Sequence, residues 1–241
     1  PARSGKSMFL GVPWILDAPG SVVVTGTKND VVLLTATARR RVGKVYTFDL
    51  NNIANWPDNA PWDPIDGCED PEEALERGRA WAAGNNDGGG GGGNTAWFSA
   101  RAGQILAYLL HAAAIKPGGS LRDVVAWAGN FANNEPIDLL RAAPGVRDAR
   151  WADGLAGMTQ SQAGETTSSL QITLQGLLAP LSSPRILDQL CPAPGVERFR
   201  VPEFVSGRNT LYLLTGKGAT STAPLVTMFL DSIIRAAQNH S

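Results

Sequence analysis

Cysteine is scarce in this 241-residue sequence, which has only Cys68 and Cys191. They lie far apart and in no C-x-x-C spacing, so neither a disulfide framework nor a zinc site is indicated, and a reducing compartment is consistent. An excess of charge of one sign is lacking too. With 21 basic residues against 22 acidic ones, the chain as a whole generates no field that would hold nucleic acid. Any DNA contact must come from a local patch or from symmetry-repeated copies. The densest basic cluster, Arg39-Arg40-Arg41 with Lys44, falls at the end of an expected helix, where cations meet the negative end of the dipole. Long hydrophobic runs are also missing: Ile105 to Ile115 falls well short of the ~20 residues that cross a bilayer. The remaining composition, 43% apolar and 18% charged, is that of an ordinary globular protein.

Against these absences stands one motif. Pro1-Ala2-Arg3-Ser4-Gly5-Lys6-Ser7 follows the phosphate-loop pattern G-x-x-x-x-G-K-[ST], with the leading glycine falling one position before Pro1. In such a loop successive backbone N–H groups wrap the phosphates, the lysine reaches the terminal ones, and the hydroxyl binds Mg²⁺. A bare G-K-[ST] tripeptide is a weak signal, but its context raises it. Met8 to Leu16 reads as an apolar helix, which would offer the phosphates an N-terminus with unpaired donors. Pro19-Gly20 then turns, and Ser21 to Thr25 is a β-branched run suited to a buried strand.

Helix and strand alternate through the first fifty residues. Asn29 to Arg41 is an expected helix stopped at Gly43, and Lys44 to Leu50 an expected strand. Asn51 to Cys68 carries turn chemistry throughout. From Asp70 the character turns helical. Asp70-Pro71-Glu72-Glu73 opens a helix to about Ala83, and the six glycines Gly88 to Gly93 read as a flexible surface loop. Asn94-Thr95 caps a long helix whose Ile105, Leu106, Leu109, Leu110 and Ala113 form one stripe. Further helices are expected over Leu121 to Ala128, Pro136 to Ala142, Val146 to Gly154 and Thr166 to Leu181. His111, inside the long helix, reads as a packed histidine. Asn209 to Thr215 returns to strand, and Ala223 to Ala237 is helical with Pro224 in its first turn. The expected architecture is α/β, a mostly parallel sheet interrupted by an all-α insertion. The expected boundaries are 1–67 and 161–241 for the nucleotide-binding part and 68–160 for the insertion.

Several segments together resemble the conjugative coupling ATPases of type IV secretion, the TraG/TraD-type DNA-transfer family. They are Gly5-Lys6-Ser7, Val12-Pro13-Trp14-Ile15-Leu16, Gly20 to Val24 with Thr27-Lys28-Asn29-Asp30, Phe48-Asp49, Trp62-Asp63-Pro64-Ile65, Trp97-Phe98, Ser168-Ser169-Leu170 with Leu174, and Arg208 to Leu213. The resemblance implies a RecA-like P-loop NTPase fold, here without the first strand and the Walker B strand. It further implies a hexameric motor held at the inner membrane by an upstream anchor. The motor hydrolyses ATP to move single-stranded DNA and attached relaxase toward the components of the secretion channel. Carried onto this chain, Arg3, Ser4, Gly5, Lys6 and Ser7 would hold ATP, with Lys6 stabilising charge on the β- and γ-phosphates and Ser7 ligating Mg²⁺. Lys28 matches the lysine of the family's D-x-K segment, but Gly26 stands in place of its aspartate. The family's acidic pair would follow the last helix, so weak nucleotide binding and negligible hydrolysis are expected of this stretch alone. Two readings stand beside the motor of conjugation. One is a nucleotide-binding adaptor that recruits secreted protein substrates, and the other an FtsK-like double-strand DNA translocase. Asp49, at a strand end, reads more readily as a turn cap than as a site residue, and Arg208 more readily as solvated than as a finger across a subunit boundary.

Overall fold

A run of valines followed by a segment rich in leucine and alanine forms a strand and its crossover helix, and this happens here before residue 50. The structure, a computed structural model, describes residues 7–57, 59–84, 93–162, 164–193, 195–216 and 222–240. It divides into a sheet unit (Pro1–Pro61, Val196–Thr222 and Leu230–Ser241) and a helical unit (Trp62–Gly195 and Ala223–Phe229). The helical unit thus takes in 62–67 and 161–195, outside the expected 68–160.

In the sheet unit, strands β1 (Val22–Gly26), β2 (Val45–Phe48) and β3 (Thr210–Leu214) are all parallel, in the order β1-β3-β2. Helix α2 (Asp30–Arg39) joins β1 to β2, because parallel strands need a crossover rather than a hairpin. The crossover leaves one position vacant, and β3, from far along the chain, fills it. Val22 and Val45 both lie opposite Thr210, and the ladders run on to Gly26↔Leu214 and Phe48↔Leu213. All five residues of β3 are buried, as expected for a strand covered on both faces. Tyr212 and Leu214 pack on Val32 and Ala36 of α2 and on Val45. The Tyr212 hydroxyl lies 2.6 Å from Thr35 Oγ1. Burial raises this phenol above its ordinary pKa, outweighing the hydrogen bond to Thr35 and the nearby Arg39 charge.

The expected helix over Met8 to Leu16 begins differently. Ser7–Gly11 forms a π-helical turn that runs into α1 (Val12–Asp17), with Pro13 in the first α-turn. Proline has no N–H to return to the preceding turn, which favours a locally wider winding.

Arg39 is the main departure from the sequence reading of this unit. It belongs to the basic cluster at the helix end, yet only 1% of its surface is exposed. Its Nε donates to Thr210 Oγ1 at 2.7 Å, and its two terminal nitrogens donate to the carbonyls of Ala18 (3.0 Å), Gly20 (3.1 Å) and Arg208 (3.3 Å). One guanidinium therefore ties the end of α2 to the turn before β1 and the start of β3. Close by, a side chain at Gly43 would strike the Arg208 carbonyl, so this stop is also a point of close approach.

The helical unit is built on α3 (Pro71–Gly84) and α4 (Gly93–Ile115), followed by α5 (Leu121–Gly129), α6 (Glu135–Ala142), α7 (Pro144–Arg147), α8 (Trp151–Thr159), α9 (Gly164–Leu178) and α10 (Pro184–Gln189). Helix α4 packs against α3, α5, α6, α8 and α9. It is accordingly buried on every side between Ala102 and Ala113, apart from the half-buried Gln104, rather than along one stripe. It opens at Gly93, so Asn94 and Thr95 lie inside the helix and do not cap it. The other glycines of the expected loop, 88–92, lie outside the described residues. The expected helix from Val146 to Gly154 is broken at Arg150, which adopts a left-handed conformation with φ 56°. The stripe expected to run to Leu181 ends as α-helix at Leu178 and tightens into a 3-10 turn over Ala179–Ser182, where Pro180 cannot donate. Short α10 and α11 (Val201–Val205), the latter in the sheet unit, were not expected. Both have a proline at the first or second position.

Helix α5 starts with a capping box between Ser120 and Asp123. Trp81 Nε1 donates to the Leu177 carbonyl at 3.0 Å, joining α3 to α9. The last helix, α12 (Ala223–His240), contributes its first residues to the helical unit and the rest to the sheet unit. No helix among the described residues is long and apolar enough to cross a membrane.

Candidate functional site

Parallel strands end together, and ligands of open α/β sheets bind outside the carboxyl ends. Here that edge carries Gly26 at the end of β1 with Thr27-Lys28 after it, Asp49 after β2, and Thr215-Gly216 after β3. Thr215 N–H donates to the Gly26 carbonyl at 3.0 Å and prolongs the ladder by one bond. A Cβ added at Gly26 would meet only the Lys28 carbonyl at 3.6 Å and Leu214 Cδ2 at 3.7 Å. Those are ordinary contact distances, so the missing aspartate is not a steric necessity of this backbone.

The structure places only one of the phosphate-loop residues. Arg3, Ser4, Gly5 and Lys6 lie outside the described residues, and Ser7 is the first residue of the helical segment that runs to Asp17. No cluster of three or more His, Cys, Asp or Glu residues suited to a metal occurs among the described residues.

Asp49 holds a turn, as read from the sequence. Its Oδ2 accepts from Ala54 N–H at 2.7 Å, while its buried Oδ1 has no hydrogen-bond partner. Next to it, Asn51 Nδ2 donates to Thr222 Oγ1 at 3.4 Å, linking the segments that follow β2 and β3. Arg208 lies two residues before β3, at the opposite edge of the sheet, and its Nε donates to the Pro19 carbonyl at 3.0 Å. Within this chain it braces a turn away from the carboxyl edge.

His111 is packed, as expected. Its Nδ1 lies 2.7 Å from the Cys68 carbonyl, so Nδ1 carries the proton, and its ring meets Trp151 edge to face. Burial pushes the Cys68 thiol up to about 12, which leaves it an inert core residue.

The sequence reading missed Arg39, whose grip fixes where β1 and β3 start and hence where their carboxyl ends align. Its position at the inner side of α2, four residues after Thr35 and seven after Val32, was the available signal.

A sequence profile described as type IV secretory system conjugative DNA transfer matches residues 1–241. No curated protein matches the sequence. The motif-by-motif resemblance and the full-length match agree: this chain belongs to the type IV secretory system conjugative DNA-transfer family.

Proposed function

We propose that this chain is the ATP-binding part of a conjugative coupling protein. Its motor drives single-stranded DNA and bound relaxase into a type IV secretion channel, as a homo-hexamer anchored at the bacterial inner membrane. The observation that carries this reading is the order of parts around Lys6. A G-K-S sequence leads straight into a helical segment at Ser7, and the next element is a strand of an all-parallel sheet. That order is what a P-loop NTPase requires. The backbone of residues 3–7 would wrap the triphosphate, and the Lys6 ammonium would balance charge on the terminal phosphates. Ser7 would ligate Mg²⁺, which would supply positive charge against the charge developing on the phosphates.

Binding of a fluorescent ATP analogue in the presence of Mg²⁺ tests the reading. A charge-assisted hydrogen bond contributes about 1.5–3 kcal/mol. Lys6→Ala is therefore expected to weaken binding by roughly ten- to a hundredfold, with the thermal melt unchanged. Equal affinities for the two proteins would remove the phosphate-loop assignment.

A further inference from the structure

Helix α1 buries little of its own surface. Among residues 9–17 only Ile15 is buried, and Phe9 and Trp14 are 80% and 72% exposed. The helix packs against α2, but with so small a buried face its direction depends on how its ends are fixed. Its front end follows Lys6, and its rear end enters the turn Ala18-Pro19-Gly20 that leads to β1.

Each carbonyl of that turn accepts a hydrogen bond from a guanidinium. Arg39 donates to Ala18 (3.0 Å) and Gly20 (3.1 Å), and Arg208 Nε donates to Pro19 (3.0 Å) between them. The following residue is tied as well: Ser21 Oγ donates to the Phe204 carbonyl at 2.5 Å and accepts from Asn209 N–H at 2.9 Å. Carbonyls at a helix end have no partner within the helix, and cations there meet the negative end of its dipole. Hydrogen bonds from a charged donor are also the stronger kind. The rear of α1 is thereby clamped to the segment that starts β3, all within the sheet unit.

We propose that Arg39 and Arg208 are positioning residues for the phosphate loop, acting through α1 from its far end. Residues 7–17 span roughly 15 Å at a helical rise, so a tilt of about 5° at the turn displaces Ser7 by about 1.3 Å. A shift of that size disturbs groups that must all meet one ligand. Arg208 thus serves its own subunit, from the edge of the sheet opposite the carboxyl ends. The proposal rests on the nucleotide reading, but the clamp can also be probed without nucleotide.

The test uses Arg208→Ala, because Arg208 is exposed and its side chain makes one bond to the turn. Affinity for a fluorescent ATP analogue with Mg²⁺ is expected to fall about fivefold, the low end of the usual coupling between separated sites, with the thermal melt unchanged. Hydrogen exchange without nucleotide should quicken in peptides covering residues 8–17 and stay the same in the helical unit. Arg208→Lys keeps one charged donor for Pro19 and should restore both. In a Lys6→Ala background the loss from Arg208→Ala should shrink to less than about twofold, because groups acting on one site are not additive. A structural loss unrelated to the loop would persist there. The proposal is overturned if Arg208→Ala keeps wild-type affinity and exchange, if lysine restores nothing, or if the loss is equal in both backgrounds. Wild type that fails to bind the analogue would remove the nucleotide reading, whereas unchanged exchange over 8–17 in Arg208→Ala would separately remove the clamp.

Discussion

Arg39→Ala is expected to destabilise the sheet unit by on the order of 3–5 kcal/mol. The guanidinium is buried among four neutral acceptors, three of them main-chain carbonyls at the points where α2, the turn before β1 and the start of β3 converge. Truncation leaves these groups without a donor, and each buried orphan costs about 1–3 kcal/mol. Against a domain stability of roughly 5–15 kcal/mol, such a loss is severe. Lysine keeps the charge but replaces a planar fork with a single nitrogen, so Arg39→Lys should recover only part of it. Arg41→Ala, two residues on and exposed, should change stability by no more than about 0.5 kcal/mol. Urea unfolding followed by circular dichroism separates the cases. Equal midpoints for Arg39→Ala and Arg41→Ala would mean that the clamp contributes nothing.

In the helical unit the largest effect is expected from Gly78→Ala, and its sign is the point. In a helix, alanine is favoured over glycine by about 1 kcal/mol, so propensity alone says that the change stabilises. Helices α3 and α4, however, touch through Gly78 and Gly103. A Cβ at Gly78 would press into the Gly103 carbonyl and lie 2.8 Å from the Ala107 Cβ and 2.9 Å from its backbone nitrogen. Most of these are backbone atoms and cannot rotate away, and overpacking of this kind costs about 1–3 kcal/mol. Set against the propensity gain, this leaves an expected net loss of up to about 2 kcal/mol. Gly157 in α8 is the converse case, since nothing lies within 4 Å of a Cβ there. Gly157→Ala should therefore raise stability by about 0.5–1 kcal/mol. Thermal melts of the two variants should move in opposite directions. A shift of both upward would show that the helices can part without cost.

Much of the fold was legible because its signals are local. Val22 to Val24 and Leu211 to Leu214 are β-branched or apolar runs bounded by turn residues, and Asp70-Pro71 announces a helix start. What stayed hidden depends on contacts between distant residues. That β3 sits between β1 and β2 is a matter of pairing across more than 160 positions, which no window of sequence carries. The leucine stripe of α9 reads the same whichever unit it joins, and only its packing on α4 assigns it. Arg39 was obscured by its two exposed neighbours, which make the triplet look like a solvated helix end. That Gly78 and Gly103 are points of contact between α3 and α4 is likewise visible only in the packing. The phosphate loop was visible as a motif.

Main-chain amides of residues 3–7 gripping a triphosphate is the claim on which the nucleotide reading depends. Hydrogen exchange with and without Mg²⁺–ATP, read by mass spectrometry at peptide level, reports on those amides directly. Slowed exchange is expected in peptides covering residues 2–12, with little change around Lys44. Exchange unchanged in that first segment, or protection confined to another part of the chain, would contradict it.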